Sequence, residues 1–111
     1  MEEEFKVIDN YLMVRMPAEV DHHASEYIGR TADRYILKEG VGNVVFDFEK
    51  TRFMDSSGIA VILKTDRLLR QTGGALALCG VPRQVRRVLD VAGLTNIVPV
   101  LEDRAKECEQ C

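Results

Sequence analysis

Val44-Val45-Phe46-Asp47-Phe48, followed after a short gap by Asp55-Ser56-Ser57-Gly58-Ile59-Ala60-Val61-Ile62-Leu63, is the stretch that decides the fold. The first run predicts a buried strand and the second an apolar helix reaching to about Gln71, so the tetrapeptide Asp55-Ser56-Ser57-Gly58 marks a strand-to-helix junction. The first N–H groups of a helix lack internal partners and carry roughly half a positive charge, which makes a hydroxyl there a good place for a phosphate. Asp and Ser are also the side chains that cap helices by satisfying those donors. The cluster therefore supports two readings, a plain N-cap and a modification site.

Upstream, Phe5-Lys6-Val7-Ile8 and the run Tyr11 to Met16 flank Asp9-Asn10, a two-residue spacing that predicts an antiparallel hairpin. Asp21 then caps a helix of about 17 residues with Ala24, Ile28, Ala32, Tyr35 and Ile36 at helical spacing, ending near Gly40. Downstream, Gly73-Gly74 stops the second helix, Ala75 to Cys79 is a strand and Pro82 starts a helix through Leu89. Asn96 to Leu101 predicts a last short strand, and the acidic stretch 102–111 a helix or tail. The expected class is α/β: a hairpin, then alternating helices and strands that pair in parallel as a small mixed sheet with helices on it.

The 111 residues, 46% of them apolar, have room for one core, so residues 1–111 are expected to be a single domain. Net charge is −3 with acids and bases interspersed, which argues against nucleic acid as a partner, and no apolar run is long enough to span a bilayer. Met1-Glu2-Glu3-Glu4 lacks the basic and apolar regions of a signal peptide, so the cytoplasm is the expected location. Of the three cysteines, Cys79 lies in an apolar run and is expected to be a buried, reduced thiol. Cys108 and Cys111 have CxxC spacing without the further ligands of a zinc site, and a solvated tail is the expectation there.

The string Phe53 to Leu63 resembles the phosphorylation segment of STAS domains, in particular of anti-sigma factor antagonists. Glu19-Val20-Asp21-His22-His23-Ala24-Ser25-Glu26 resembles the segment that sets the sporulation sigma-F type apart from general-stress relatives, and the similarity runs on through Gly73-Gly74, Cys79, Pro82 and Ala92-Gly93-Leu94. The resemblance implies the STAS fold, a small mixed sheet with helices on it, and the element order read from periodicity agrees with it. The resemblance implies a protein that is not an enzyme and needs no cofactor. It implies that the unphosphorylated form binds an ATP-dependent, GHKL-type anti-sigma factor serine kinase and so frees a sigma factor. That kinase modifies Ser56 and a serine phosphatase resets it.

By that resemblance Ser56, directly after Asp55, is the phosphoacceptor, and Ser57 is a capping or packing residue because adjacent helical positions point about 100° apart. Asp21, Asp55, Ser57 and Gly58 are the expected partner-binding residues. Gly58 could let a partner's backbone come close or could relieve crowding inside the fold. Adjacent His22 and His23 are poorly spaced for metal binding, and no metal is expected. Arg83, Arg86 and Arg87, with Lys64, Arg67 and Arg70 on the preceding helix, could meet an acidic partner or form a solvated face. Ala18 stands where the family usually has glycine, which would cost about 1 kcal/mol if that turn needed a positive φ.

Two other functions use the same residues. A serine hydrolase could pair Ser56 or Ser57 with His22 or His23, but G-x-S-x-G is missing and both histidines sit in one short segment. A STAS module of another signalling assembly, or one that binds nucleotide, is the other alternative.

Overall fold

The computed structural model describes residues 4–101, and the stretch 102–111 with Cys108 and Cys111 lies outside the described residues. The elements run β1 (Phe5–Ile8), β2 (Tyr11–Arg15), β3 (Glu19–Val20), α1 (His22–Leu37), β4 (Asn43–Asp47), β5 (Phe53–Met54), α2 (Ser56–Gln71), β6 (Ala75–Cys79) and α3 (Arg83–Val91), then a 3-10 turn at Leu94–Asn96. β1 and β2 form the antiparallel hairpin, with Asp9 at φ 55° in the turn, as its side chain tolerates. The main sheet has the order β1-β2-β4-β6, and both the β2–β4 and β4–β6 pairings are parallel.

Register explains where the core lies. Leu12, Val44 and Leu76 form one row across three strands and Val14, Phe46 and Leu78 the next, every one of them almost fully buried. The intervening row Met13, Val45, Ala77 faces the other way and is less covered. Ile28, Ala32 and Ile36 of α1, Val61, Ile62 and Leu69 of α2, and Val85 and Leu89 of α3 join the same apolar cluster. Phe5 stacks on Tyr35 with ring centroids 6.0 Å apart and meets Tyr27 edge-on at 6.1 Å, which ties the hairpin to α1.

Several elements depart from expectation. α1 ends at Leu37, short of Gly40, whereas α3 runs two residues past Leu89. The last strand reduces to a single bridge, Leu78 to Val100, held by Leu78 N–H to Pro99 O at 3.0 Å and Leu101 N–H to Leu78 O at 2.7 Å. Pro99 has no N–H to extend a ladder, and residues 94–96 turn instead. Finally, β3 and β5 form a separate parallel pair that sequence periodicity did not suggest, since two-residue strands are too short to show alternation. This pair extends the fold beyond the carboxyl ends of β2 and β4, where sites gather in open α/β sheets.

Candidate functional site

The β3–β5 pair sets the geometry of the site. Glu19 aligns with Phe53 and Val20 with Met54, so the next residues in register are Asp21 and Asp55. Asp55 N–H donates to Val20 O at 3.2 Å, and both Arg52 and Phe53 donate to Ala18 O, at 2.8 and 3.2 Å. Thr51, buried, adds its hydroxyl to Pro17 O at 2.8 Å. These bonds hold two strand-to-helix junctions side by side.

The two junctions have nearly the same backbone. Asp21 (φ −95°, ψ −173°) caps α1 by accepting from Ala24 N–H at 2.9 Å, and Asp55 (φ −99°, ψ −171°) caps α2 by accepting from Ser57 N–H at 2.9 Å. The capping expectation for both aspartates is met. Two helix N-termini and two carboxylates therefore share one edge of the molecule.

The adjacent serines have different surroundings. The Ser57 hydroxyl donates to Asp55 Oδ1 and lies 3.2 Å from Ser25 Oγ, so it is held within the domain and links α2 to α1. Ser56 is exposed and lies outside that network. Asp55 is held below the ordinary carboxylate pKa, first by the Ser57 hydroxyl and then by the Ser57 N–H; the Gly58 N–H and the charge of His22 act in the same direction, and desolvation opposes them. It remains an anion wherever the protein is folded near neutral pH.

Gly58 is buried. A Cβ there would lie 2.3 Å from Met54 Cγ and 3.1 Å from Val20 Cγ1, so its missing side chain makes room for the β3–β5 pair beneath the site. The close approach at Gly58 is internal, the crowding that was the second of the two readings of this glycine. The turn before Glu19 does not need a positive φ, since Asp9 is the non-glycine residue with positive φ among the described residues, so Ala18 carries no such penalty.

Beside the paired caps, α1 and α2 form a groove of about 260 Å³ whose lining includes His22, Ser25, Gly29, Ser57, Ala60 and Lys64. Gly29 permits this approach, since a Cβ on it would meet Val61 Cγ2 at 3.1 Å. His22 sits 3.6 Å from Glu26 and is well exposed, and the Ser57 hydroxyl bonds to carboxylate and serine, not to imidazole, so a hydrolase arrangement is not assembled. Of the basic set on α2, Lys64 pairs with Asp33 at 3.1 Å, and Arg70 with Asp66 at 2.9 Å and Ile97 O at 3.1 Å. Ser25 was not singled out from the sequence; the signal was there in the small residues of both first turns, but only the β3–β5 register brings them opposite one another.

A model of the STAS domain matches residues 3–107. The chain is 38% identical over 92 residues, 83% of its length and 79% of the relative's, to an anti-sigma F factor antagonist of Paenibacillus polymyxa. It is similar to two solved structures of SpoIIAA. The unphosphorylated anti-sigma factor antagonist has a TM-score of 0.74 at 26% identity, covering 96% of this chain and 94% of that one. The phosphorylated form, described as a Bacillus cell fate determinant, has a TM-score of 0.74 at 28% identity, covering 96% of each chain.

Proposed function

The chain belongs to the STAS domain family, and from that membership we propose that it is an anti-sigma factor antagonist switched by phosphorylation of Ser56. Unphosphorylated, it binds an anti-sigma factor serine kinase of the GHKL type through the edge that carries Asp21 and Asp55, and the kinase releases its sigma factor. The kinase uses ATP to modify Ser56, and a serine phosphatase resets the protein. It works in the cytoplasm through protein contacts; no helix among the described residues is long and apolar enough to cross a membrane.

One observation carries this reading: of the paired serines, Ser57 is tied inward to Asp55 and Ser25, while Ser56 presents an exposed hydroxyl at the first turn of α2. A kinase can reach Ser56 without breaking the fold. Phosphate adds about −1.5 to −2 charges beside Asp55 and close to Asp21. Water screens that charge in the free protein, but an interface that buries it without cationic partners loses several kcal/mol, and about 3 kcal/mol weakens binding roughly a hundredfold.

The test is intact mass and peptide mapping after incubation with the anti-sigma kinase of the same genome and ATP. The expected result is one added phosphate, about 80 Da, on Ser56. Phosphate on Ser57 or Thr51, or none, overturns the assignment.

A further inference from the structure

Among the described residues α3 gathers three exposed cations without an ion pair, whereas on α2 Arg67 stands singly in that state. On α1 and α2, Arg30 pairs with Glu26 at 2.8 Å, Lys64 with Asp33 and Arg70 with Asp66. Arg83, Arg86 and Arg87 stand at i, i+3 and i+4 on the exposed side of α3, and among the described residues none of them has a carboxylate within ion-pair distance. With Asp90 they line a shallow depression of about 300 Å³. The opposite side of α3, Val85 and Leu89, is fully buried, so the helix cannot rotate to hide these charges. In a chain of net charge −3 this is a local concentration of positive charge.

Position gives the patch its meaning. α3 packs against β5, the strand that leads directly into Asp55 and Ser56. Phe53 on that strand is 52% exposed, whereas its neighbour Met54 is buried. α3 thus lies beside the short strand that carries an exposed aromatic ring and leads into Ser56. An apolar centre flanked by charge is how protein interfaces are built, and the planar fork of arginine matches a carboxylate in two-point fashion.

We infer that Arg83, Arg86 and Arg87 form the second half of the partner surface and dock an acidic face of the anti-sigma kinase, with Phe53 packed between the two halves. This rests on the function proposed above. Nucleic acid fits less well, because Asp90 lies within the depression and the chain as a whole carries a net charge of −3. An arginine contact of this kind also gives Ser56 phosphorylation a defined target: the modification acts at one end of the surface while α3 sets encounter rate and register at the other.

The experiment measures affinity of the unphosphorylated protein for the purified kinase at about 50 and about 300 mM salt. The proteins compared are wild type, Ser56→Asp, the reversal R86E/R87E and the milder neutralisation R83Q/R86Q/R87Q. Circular dichroism and thermal midpoints are expected to match wild type in both arginine variants, since these side chains are exposed. The expected result is that the reversal weakens binding by roughly tenfold or more at low salt, the neutralisation weakens it less, and both flatten the salt dependence seen for wild type. If both arginine variants bind within about twofold of wild type at both salts while Ser56→Asp does not bind, α3 plays no part and the inference is overturned, leaving the functional reading intact. If wild type does not bind the kinase, that reading fails and this one falls with it. Binding of a duplex oligonucleotide that the reversal abolishes, with kinase affinity unchanged, assigns the patch to another partner class and also overturns it.

Discussion

Ser56 and Ser57 show how two adjacent, identical side chains acquire separate duties from what surrounds them. Ser57 donates to Asp55 and meets Ser25, and its hydroxyl and N–H bonds to Asp55 keep that carboxyl below its ordinary pKa. The sign of the resulting pH dependence follows. A carboxylate with a depressed folded pKa contributes stability that is fully present above the unfolded value, about 3.9, and is lost as pH falls through the lower folded value. Wild type is therefore expected to exceed Asp55→Asn in denaturant midpoint at pH 7, with the gap closing as the pH is lowered below about 4. A gap that stays constant down to acid pH would show that charge on Asp55 does not contribute. At Gly58 the constraint is steric: a methyl group would meet Met54 and Val20, so Gly58→Ala is expected to lower stability by about 1 to 3 kcal/mol by overpacking. An unfolding midpoint equal to wild type would mean that the β3–β5 pair is not pinned there.

At the scale of elements, the decisive unit is the short parallel pair β3–β5, which brings the caps of α1 and α2 together. Asp21 is expected to serve both fold and partner. Asp21→Asn keeps much of the capping ability and removes the charge, whereas Asp21→Ala loses both and is expected to cost about 1 kcal/mol. Kinase affinity of the Asn variant equal to wild type would remove Asp21 from the partner surface; a stability of the Ala variant equal to wild type would remove it as a cap. The caps themselves, the hairpin at Asp9-Asn10 and the strands around Val44 and Ala75 were legible in the residues, because turn chemistry and capping are written in single side chains. The pairing of β3 with β5 was not. It depends on hydrogen bonds from residues 51–53 to Pro17 and Ala18, across more than thirty positions of chain, and two residues are too few to carry a pattern. The contact of Ser25 with Ser57 and the burial of Gly58 follow from that register, so neither could be derived before it was known. Pro99 misled in the other direction: the apolar run around it resembles a strand, but its missing N–H limits pairing to one bridge.

For the whole molecule, the question is whether phosphate acts by altering the fold or by altering the surface. On Ser56 it would stand where the helix dipole and free N–H groups favour it by roughly 0.5 to 2 kcal/mol, while Asp55 and Asp21 oppose it by a comparable amount in water. The two effects largely cancel. Phosphorylation is therefore expected to shift the stability of the free protein by no more than about 1 kcal/mol, leaving amide exchange in β4 unchanged, because Ser56 is exposed and is not a member of the buried core cluster. Exchange changes spreading through β4 would mean that the domain is remodelled. The most direct measurement is the affinity of the purified kinase, held with a non-hydrolysable ATP analogue, for the protein before and after modification of Ser56. A fall of about a hundredfold with an unchanged fold is the predicted result; equal affinity of the two forms would contradict a charge switch at Ser56.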